Sequence, residues 1–264
     1  MTQRTLIVSA LVLGAGAACA NASPFADFVI RDVGTQILPN TDYVPNGLEF
    51  IISAGGMKAA LGSDNVNGST VGSISRMAIT RYDDAGRFNA GSGPAVAPYF
   101  NIWVTDGMGN FAVIANEPSN PSFSAFRTAN PGGGFTYDFS MGDIANEPVQ
   151  VYETPNGGFN STNTWIHNLL GINGPLTFAD VAGLTVMAPD AAYIMDGTNA
   201  VGSGAPRELG TNAAYGFNWV FGDTLTNYVS GQEGYVVAGA LVVPAPGAAA
   251  LLALGGLAGV RRRR

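Results

Sequence analysis

Two glutamates in a repeated motif are the first residues in the sequence that could do chemistry. The pentapeptide Ile-Ala-Asn-Glu-Pro occurs at residues 114–118 and again at 144–148, and its two copies carry Glu117 and Glu147. Two carboxyl groups on either side of a glycosidic bond can serve as general acid and as base or nucleophile in glycoside hydrolysis. The repeat therefore raises a catalytic carboxylate pair as a hypothesis.

The surrounding sequence weighs against that pair. Asn-Glu-Pro resembles the acid/base segment of many barrel-fold glycoside hydrolases, and the resemblance implies a glutamate that protonates the leaving oxygen. That barrel alternates strands with eight helices, whereas this sequence has hardly any helical pattern. The other interpretation is that each copy ends a strand, because proline cannot continue the hydrogen-bond ladder. We favour the strand end and keep a glycan-active hydrolase as a second alternative function.

Histidine and cysteine are nearly absent. His167 is the only histidine and Cys19 the only cysteine of the chain. These counts exclude a metal site built on several histidines, and they exclude an internal disulfide. Because Trp165-Ile166-His167 is locally apolar, we expect His167 to be a buried, hydrogen-bonded structural residue rather than a catalytic one.

A metal site in this chain would have to use oxygen ligands, and calcium is the first expectation for such a site in an exported protein. Oxygen-bearing side chains cluster at Asp83 and Asp84, and again at Asp106 and Asn110. Neither cluster has the Asp-x-Asp-x-Asp-Gly spacing of a calcium-binding loop, and turn formation alone accounts for both. We therefore expect no cofactor and name these four residues as the ones to test for calcium.

Aromatic and amide side chains suit carbohydrate recognition. The chain has 3 tryptophans and 9 tyrosines, whose rings can stack on sugar rings while amides bind the hydroxyl groups. Trp103 and Trp219 lie inside apolar runs, which indicates core positions. Trp165 follows the polar residues 160–164 and is the candidate ligand contact.

The charge distribution excludes one class of partner. The formal net charge is -7, and Arg4 and the four terminal arginines supply 5 of the 12 basic residues. All 19 acidic residues lie between Asp27 and Glu233, so that segment carries 7 minus 19, or -12. A nucleic-acid binder needs a positive face, and docking on anionic lipid is disfavoured for the same reason.

Short apolar runs separated by Gly, Pro, Asn or Asp indicate strands and turns across residues 23–243. The runs are Phe28–Val33, Leu48–Ile52, Ile74–Tyr82, Tyr99–Thr105, Phe111–Ala115, Phe135–Phe139, Val149–Tyr152, Leu184–Met187, Tyr215–Phe221 and Tyr235–Val243. We expect one all-β domain, an antiparallel β-sandwich or jelly roll. A β-barrel and a β-solenoid are the alternatives.

Three local patterns sharpen that expectation. In residues 135–139 the aromatic residues alternate with Thr136 and Asp138, which predicts one buried face and one wet face. Asp106–Gly109 separates two apolar runs and predicts a hairpin. The best helix candidate is Thr177–Ala182, with Thr177 as a possible N-cap and Gly183 as a stop.

The first 22 residues have the features of a secretory signal peptide. Arg4 precedes the apolar run Leu6–Ala18, and Ala20 and Ala22 form a small-x-small cleavage site before Ser23. Cleavage there would remove Cys19 and leave no thiol. The alternatives are a retained membrane anchor, for which the run is short of the roughly 20 apolar residues required, and a lipoprotein acylated at Cys19.

The last 21 residues have the pattern of a stop-transfer element. Pro244, Ala245 and Pro246 precede the apolar stretch 247–260, and Arg261, Arg262, Arg263 and Arg264 follow it. An apolar segment halts in the membrane and the arginines stay on the cytoplasmic side, so the chain before it lies outside. With Val242 and Val243 the apolar run is about 18 residues, close to the minimum for a span.

Pro-x-Pro, a short apolar helix and a terminal arginine cluster resemble the PEP-CTERM sorting signal of Gram-negative bacteria. The resemblance covers residues 244–264 and departs at Ala245, where the family usually has glutamate. It implies an exosortase, a membrane protease that removes the tail and releases or transfers the protein to the cell exterior, often alongside exopolysaccharide production. An ordinary C-terminal membrane anchor is the alternative.

These observations predict a chain with a signal peptide at 1–22, a β-sandwich body at 23–243 and a sorting tail at 244–264. We expect a non-enzymatic protein of the cell surface or extracellular matrix, held briefly at the inner membrane by its tail. The translocon and an exosortase-type protease would be its partners. A carbohydrate-binding module for extracellular polysaccharide is the first alternative function.

Overall fold

Two antiparallel sheets make up most of the structure, a computed structural model that describes residues 25–31, 34–52, 57–82, 98–116, 121–154, 165–196, 214–222 and 234–245. The first sheet contains, in spatial order, β1 (Ala26–Arg31), β4 (Lys58–Ser63), β12 (Phe217–Gly222), β6 (Tyr99–Thr105), β7 (Phe111–Ala115) and β10 (Gln150–Thr154), with β11 (Thr185–Val186) paired to β6. The second contains β2 (Gln36–Pro39), β3 (Leu48–Ile51), β13 (Tyr235–Pro244), β5 (Ile74–Arg81), β9 (Phe135–Phe139) and β8 (Arg127–Ala129). The helices described are α1 (Trp165–Leu170) and α2 (Ala191–Met195), with 3₁₀ turns at Val71–Ser73 and Pro121–Phe126.

The two sheets face each other across one hydrophobic core that draws residues from both. Phe50 of β3 stacks on Phe221 of β12 with ring centroids 4.2 Å apart, and Phe100 of β6 contacts Phe139 of β9 at 6.0 Å. Burial of these large apolar side chains is the main favourable term in folding. The expectation of an all-β fold built on two antiparallel sheets is confirmed.

The second sheet has a wet outer face. The aromatic residues of β9 face the core, whereas Thr136 is half-buried and Asp138 exposed on the other side, as the alternation predicts. Asp138 accepts two hydrogen bonds from the Arg76 guanidinium at 2.8 and 2.6 Å. Thr136 and Thr80 bond through their hydroxyls at 2.9 Å.

The first sheet is different, because its central strands β4, β12 and β6 are buried on both faces. In β12, Phe217, Trp219 and Phe221 belong to the core between the sheets. Asn218 and Val220 alternate with them on the opposite side and are nevertheless 0% exposed. We call this second side of the first sheet its outer face.

Each of the ten apolar runs in the sequence overlaps a strand, and three further strands of the described part lack such a run: β2, β4 and β8. The sequence Lys58–Ser63 of β4 has no β-branched or aromatic residue, so its propensity for strand is low. Small side chains suit its position, because Tyr215 packs directly on Gly62. Contacts with neighbouring strands, not local preference, make this segment a strand.

The predicted helix at Thr177–Ala182 is wrong, since the segment forms turns. The Asp180 carboxylate accepts hydrogen bonds from the amide and hydroxyl of Thr177 at 2.8 and 2.7 Å, and these bonds hold the pKa of Asp180 below its ordinary value. Such a reciprocal pair satisfies the first amides of a turn, and Gly183 follows before a full helix develops. Helix α1, which the sequence analysis missed, ends at Leu170, and Gly171 follows it with φ of +68°.

The hairpin at Asp106–Gly109 is confirmed: Thr105 of β6 pairs with Phe111 of β7.

The second pentapeptide is not a strand end as expected, since Ile144–Glu147 is a turn closed by the Glu147 amide donating to the Ile144 carbonyl at 2.9 Å. The first copy does end a strand, because β7 stops at Ala115.

Strand β13 runs to Pro244, into the expected junction between body and tail. Val242 and Val243, counted above with the apolar tail, belong to β13, and Val242 is only 1% exposed. Pro244 pairs with Ile74 of β5, and the Ala245 amide donates to the Ser73 carbonyl. The two-sheet body therefore extends through residue 245, and residues 246–264 lie outside the described part.

Gly62→Ala should destabilise the protein by about 1–3 kcal/mol, the usual effect of overpacking, because the new Cβ would overlap the Tyr215 ring. Gly239→Ala in β13 is the matched control, since a Cβ there meets nothing within 4 Å. Urea unfolding of both variants measures the difference. Equal stability of the two variants would contradict the close packing at Gly62.

Candidate functional site

A cleft of about 350 Å³ lies at the start of β7. It is lined by Phe111, Asp190, Ala192, Tyr193 and Asp196. Two aromatic rings and two carboxylates thus meet in one surface depression. We call it the aromatic cleft.

Helix α2 positions the cleft's residues. Asp190 is the N-cap of this helix, and its carboxylate accepts a hydrogen bond from the Tyr193 amide at 2.7 Å. This bond satisfies one of the free amides at the helix start. The Tyr193 ring then lies 4.8 Å from the ring of Phe111, tilted by 60°. The rings are half-buried, so they form a partly open platform.

Trp165, the ligand candidate from the sequence, is next to this cleft but does not line it. Its indole nitrogen donates to the backbone carbonyl of Phe111 at 3.1 Å, and its half-buried ring packs against the core. Trp165 therefore positions Phe111. The sequence analysis missed Tyr193 and Asp190, although Asp190 before the apolar segment 191–195 has the pattern of an N-cap.

The other two tryptophans are buried, on opposite sides of the first sheet. Trp219 lies in the core between the sheets, as expected. Trp103 is 0% exposed but lies on the outer face, in a small cluster with Val113, Phe111 and Tyr152. The expectation of a buried Trp103 holds, and the face it occupies was not foreseen.

Asp106 and Asn110 are brought together, but as a turn. The Asp106 carboxylate accepts hydrogen bonds from the Asn110 side chain at 2.6 Å and from the amides of Met108 and Asn110 at 2.8 and 3.2 Å. Burial opposes ionisation, yet these hydrogen bonds outweigh it, so the pKa of Asp106 is lower than its ordinary value. Its oxygens are engaged in closing the hairpin.

The remaining metal candidates, Asp83 and Asp84, lie outside the described residues. Within the described part of the chain, no three His, Cys, Asp or Glu side chains come together as a metal site.

Two other residues considered for catalysis, His167 and Glu147, lie in contacts that hold the fold together. His167 is 5% exposed, and its Nε2 lies 3.0 Å from the Gly174 carbonyl oxygen. Glu147 is half-buried in the turn described above, and its backbone carbonyl accepts from the Phe178 amide at 3.1 Å. Glu117 lies outside the described residues, so the proposed carboxylate pair stays a hypothesis.

The residues assigned to sorting lie mostly beyond the described ranges. Ala20, Ala22, Ser23, Pro246 and the four arginines 261–264 fall outside them, whereas Pro244 and Ala245 are bound to the second sheet. Among the helices that are described, none has the length and hydropathy to cross a bilayer.

Comparison of the chain with protein-family models, with curated proteins and with solved structures returns no match.

Asp106→Ala should lower the free energy of unfolding by about 1 kcal/mol at pH 7, because the hairpin loses its hydrogen-bond acceptors. The pKa of Asp106 is depressed in the folded state, so its contribution is full above the unfolded pKa of about 3.9 and is lost as the pH falls. The difference between wild type and variant should shrink between about pH 4 and pH 2.

Urea unfolding across this pH range measures the effect. Asp42→Ala is the control, since the exposed Asp42 carboxylate accepts no hydrogen bond from any described residue. A difference between wild type and D106A that stays constant with pH would contradict the assigned role.

Proposed function

We propose that this chain is an exported, non-enzymatic protein of the cell surface or extracellular matrix, sorted through its C-terminal tail. The observation that carries the proposal is the order of three parts at the C-terminus: Pro244-Ala245-Pro246, the apolar stretch 247–260 and the arginines 261–264. Arginines are costly to move across a membrane. The proposed partners are the translocon and an exosortase-type membrane protease.

The junction between β13 and the tail supports a weak, transient anchor. Three hydrogen bonds hold the strand's end: Asn65 donates to the Val242 carbonyl at 2.9 Å, Ser75 donates to the Val243 carbonyl at 3.1 Å, and the Ala245 amide donates to Ser73. Only the stretch 247–260 then remains for the membrane. As a helix it would be about 21 Å long, against roughly 30 Å of hydrocarbon.

The N-terminus is consistent with cleavage after residue 22. Strand β1 begins at Ala26, three residues beyond Ser23, and it pairs with β4 at the edge of the first sheet. Removal of residues 1–22 would leave this strand complete. The charge of -12 between Asp27 and Glu233 would then keep copies apart by repulsion during export.

Deletion of residues 246–264 should move the protein from the membrane fraction to the medium, because the deletion removes the membrane segment and leaves β13 intact. Cell fractionation with immunoblotting measures the distribution. Deletion from Val242 onward is the informative comparison, since it also removes a buried strand residue and should yield unstable, degraded protein. An unchanged distribution of the 246–264 deletion would contradict sorting by the tail.

A second candidate function is binding of extracellular polysaccharide, and the aromatic cleft favours it. The tilted rings of Phe111 and Tyr193 can contact the C–H face of a sugar, while Asp190 and Asp196 can accept hydrogen bonds from its hydroxyl groups. A volume of about 350 Å³ is within the usual range for small-ligand sites.

Tyr193→Ala should weaken retention on a polysaccharide by about tenfold, the effect expected for losing one aromatic stacking contact. Affinity electrophoresis in gels that contain the producing cells' own exopolysaccharide measures it. Tyr43→Ala is the control, since Tyr43 is a 45% exposed tyrosine that stacks on Tyr82 instead of lining the cleft. Equal retention of both variants and wild type would contradict a sugar site in the cleft.

A further inference from the structure

The aromatic cleft carries negative charge and, among the described residues that line it, no positive charge. Asp190 and Asp196 supply its two carboxylates, and both residues are exposed to solvent. The rest of the lining is apolar: the rings of Phe111 and Tyr193 and the methyl group of Ala192. The cleft therefore offers a ligand apolar surface and negative charge side by side.

Helix α2 keeps the two carboxylates apart. Asp190 is its N-cap and Asp196 its C-cap, and six positions (196 minus 190) correspond to about 9 Å along a helix axis. A calcium ion needs its oxygen ligands within about 2.6 Å, so the two carboxylates are too far apart to share one. The spacing suits a larger ligand that carries a cationic group and extends across the rings.

The two rings add a preference for positive charge, because the face of an aromatic ring attracts ammonium groups. They are also held in place. The backbone carbonyl of Phe111 accepts from the Trp165 indole nitrogen at 3.1 Å, and the amide of Tyr193 donates to Asp190 at 2.7 Å. A ligand that binds in the cleft thus pays little to order its surroundings.

One carboxylate oxygen of the cleft is open to a donor from a ligand. Asp190 accepts the Tyr193 amide with Oδ1, whereas its Oδ2 accepts no hydrogen bond from the described residues. An ammonium group has three donors and no acceptor. Its hydrogen bonds to a carboxylate are about twice as strong as bonds between neutral groups. A sugar hydroxyl would gain less than an amine at this position.

The charge of the whole body narrows the class of polysaccharide. The segment between Asp27 and Glu233 carries 7 minus 19, or -12, so an acidic polysaccharide would be repelled. A basic polysaccharide would be attracted to the body at long range and would meet both carboxylates and rings in the cleft. The local and the overall charge thus favour the same class of ligand.

We propose that the aromatic cleft binds a protonated amino sugar, with the ammonium group beside Asp190 and the apolar face of the sugar against Phe111 and Tyr193. The inference deepens the polysaccharide-binding candidate and rests on it for the sugar. It does not depend on export or on the tail.

The test compares two ligands that differ in charge. A glucosamine oligomer carries amines, and an N-acetylglucosamine oligomer of equal length has the same backbone with neutral amides. Isothermal titration of both into the protein recovered from the producing cells is made at about pH 6, between the pKa values of carboxylates and amines.

The variants change charge with little change in shape. Asp190→Asn keeps the start of α2, because asparagine caps a helix as well as aspartate does, and Asp196→Asn removes the second charge. Asp42→Asn is the matched control, since it makes the same change at an exposed residue between β2 and β3. Circular dichroism checks that each variant is folded.

Wild type and D42N should bind the glucosamine oligomer about tenfold more tightly than the acetylated one, and this preference should shrink as salt is added. D190N and D196N should each weaken binding of the glucosamine oligomer by about fivefold, the factor for one charge pair near 4 Å in water. They should leave binding of the acetylated oligomer unchanged. Tyr193→Ala should weaken binding of both oligomers.

Equal affinity of wild type for the two oligomers would overturn the inference and leave the polysaccharide-binding candidate standing. An equal loss in D42N and D190N would also overturn it, because the attraction would then belong to the body's overall charge. If neither oligomer binds, the inference fails, and retention of Y193A on the cells' own exopolysaccharide decides whether the candidate function fails with it. Should D190N not fold, D196N and the comparison of the two oligomers decide.

Discussion

The two strands nearest the C-terminus in the described part of the chain, β12 and β13, join the halves of the two sheets. Strand β12 lies between β4 and β6 in the first sheet, and β13 lies between β3 and β5 in the second. Without them, each sheet separates into two unconnected halves. The body can therefore complete its hydrogen bonding and its core only after residue 245 is available, which makes folding a late, long-range event. That order suits a chain proposed to cross a membrane before it folds.

Burial of the first sheet on both faces also removes polar side chains from solvent. The outer face of β6 and β12 places asparagine amides where water does not reach, and each unsatisfied buried polar atom costs about 1–3 kcal/mol. On the outer face of the second sheet, by contrast, Asp138 and Arg76 are exposed and paired.

The sequence predicted the strands that carry their own apolar pattern and failed where tertiary contacts decide. The alternation around Tyr137 and the turn at Gly107 are local signals, and both are confirmed. Strand β4 could not be recognised, because its small residues suit packing under Tyr215 rather than strand propensity. The face of Trp103 and the meeting of Phe111 with Tyr193, 82 positions apart, depend on register and on the placement of α2, which no local pattern encodes.

We propose that both ends of the chain are signals and that the two-sheet body is what remains outside the cytoplasm. Intact mass spectrometry of the protein recovered from the producing cells tests it most directly. If both signals are removed, an extracellular or surface species begins at Ser23 and ends near residue 246, with any attached group adding to that mass. A full-length species from Met1 to Arg264, found in the cytosol, would contradict it.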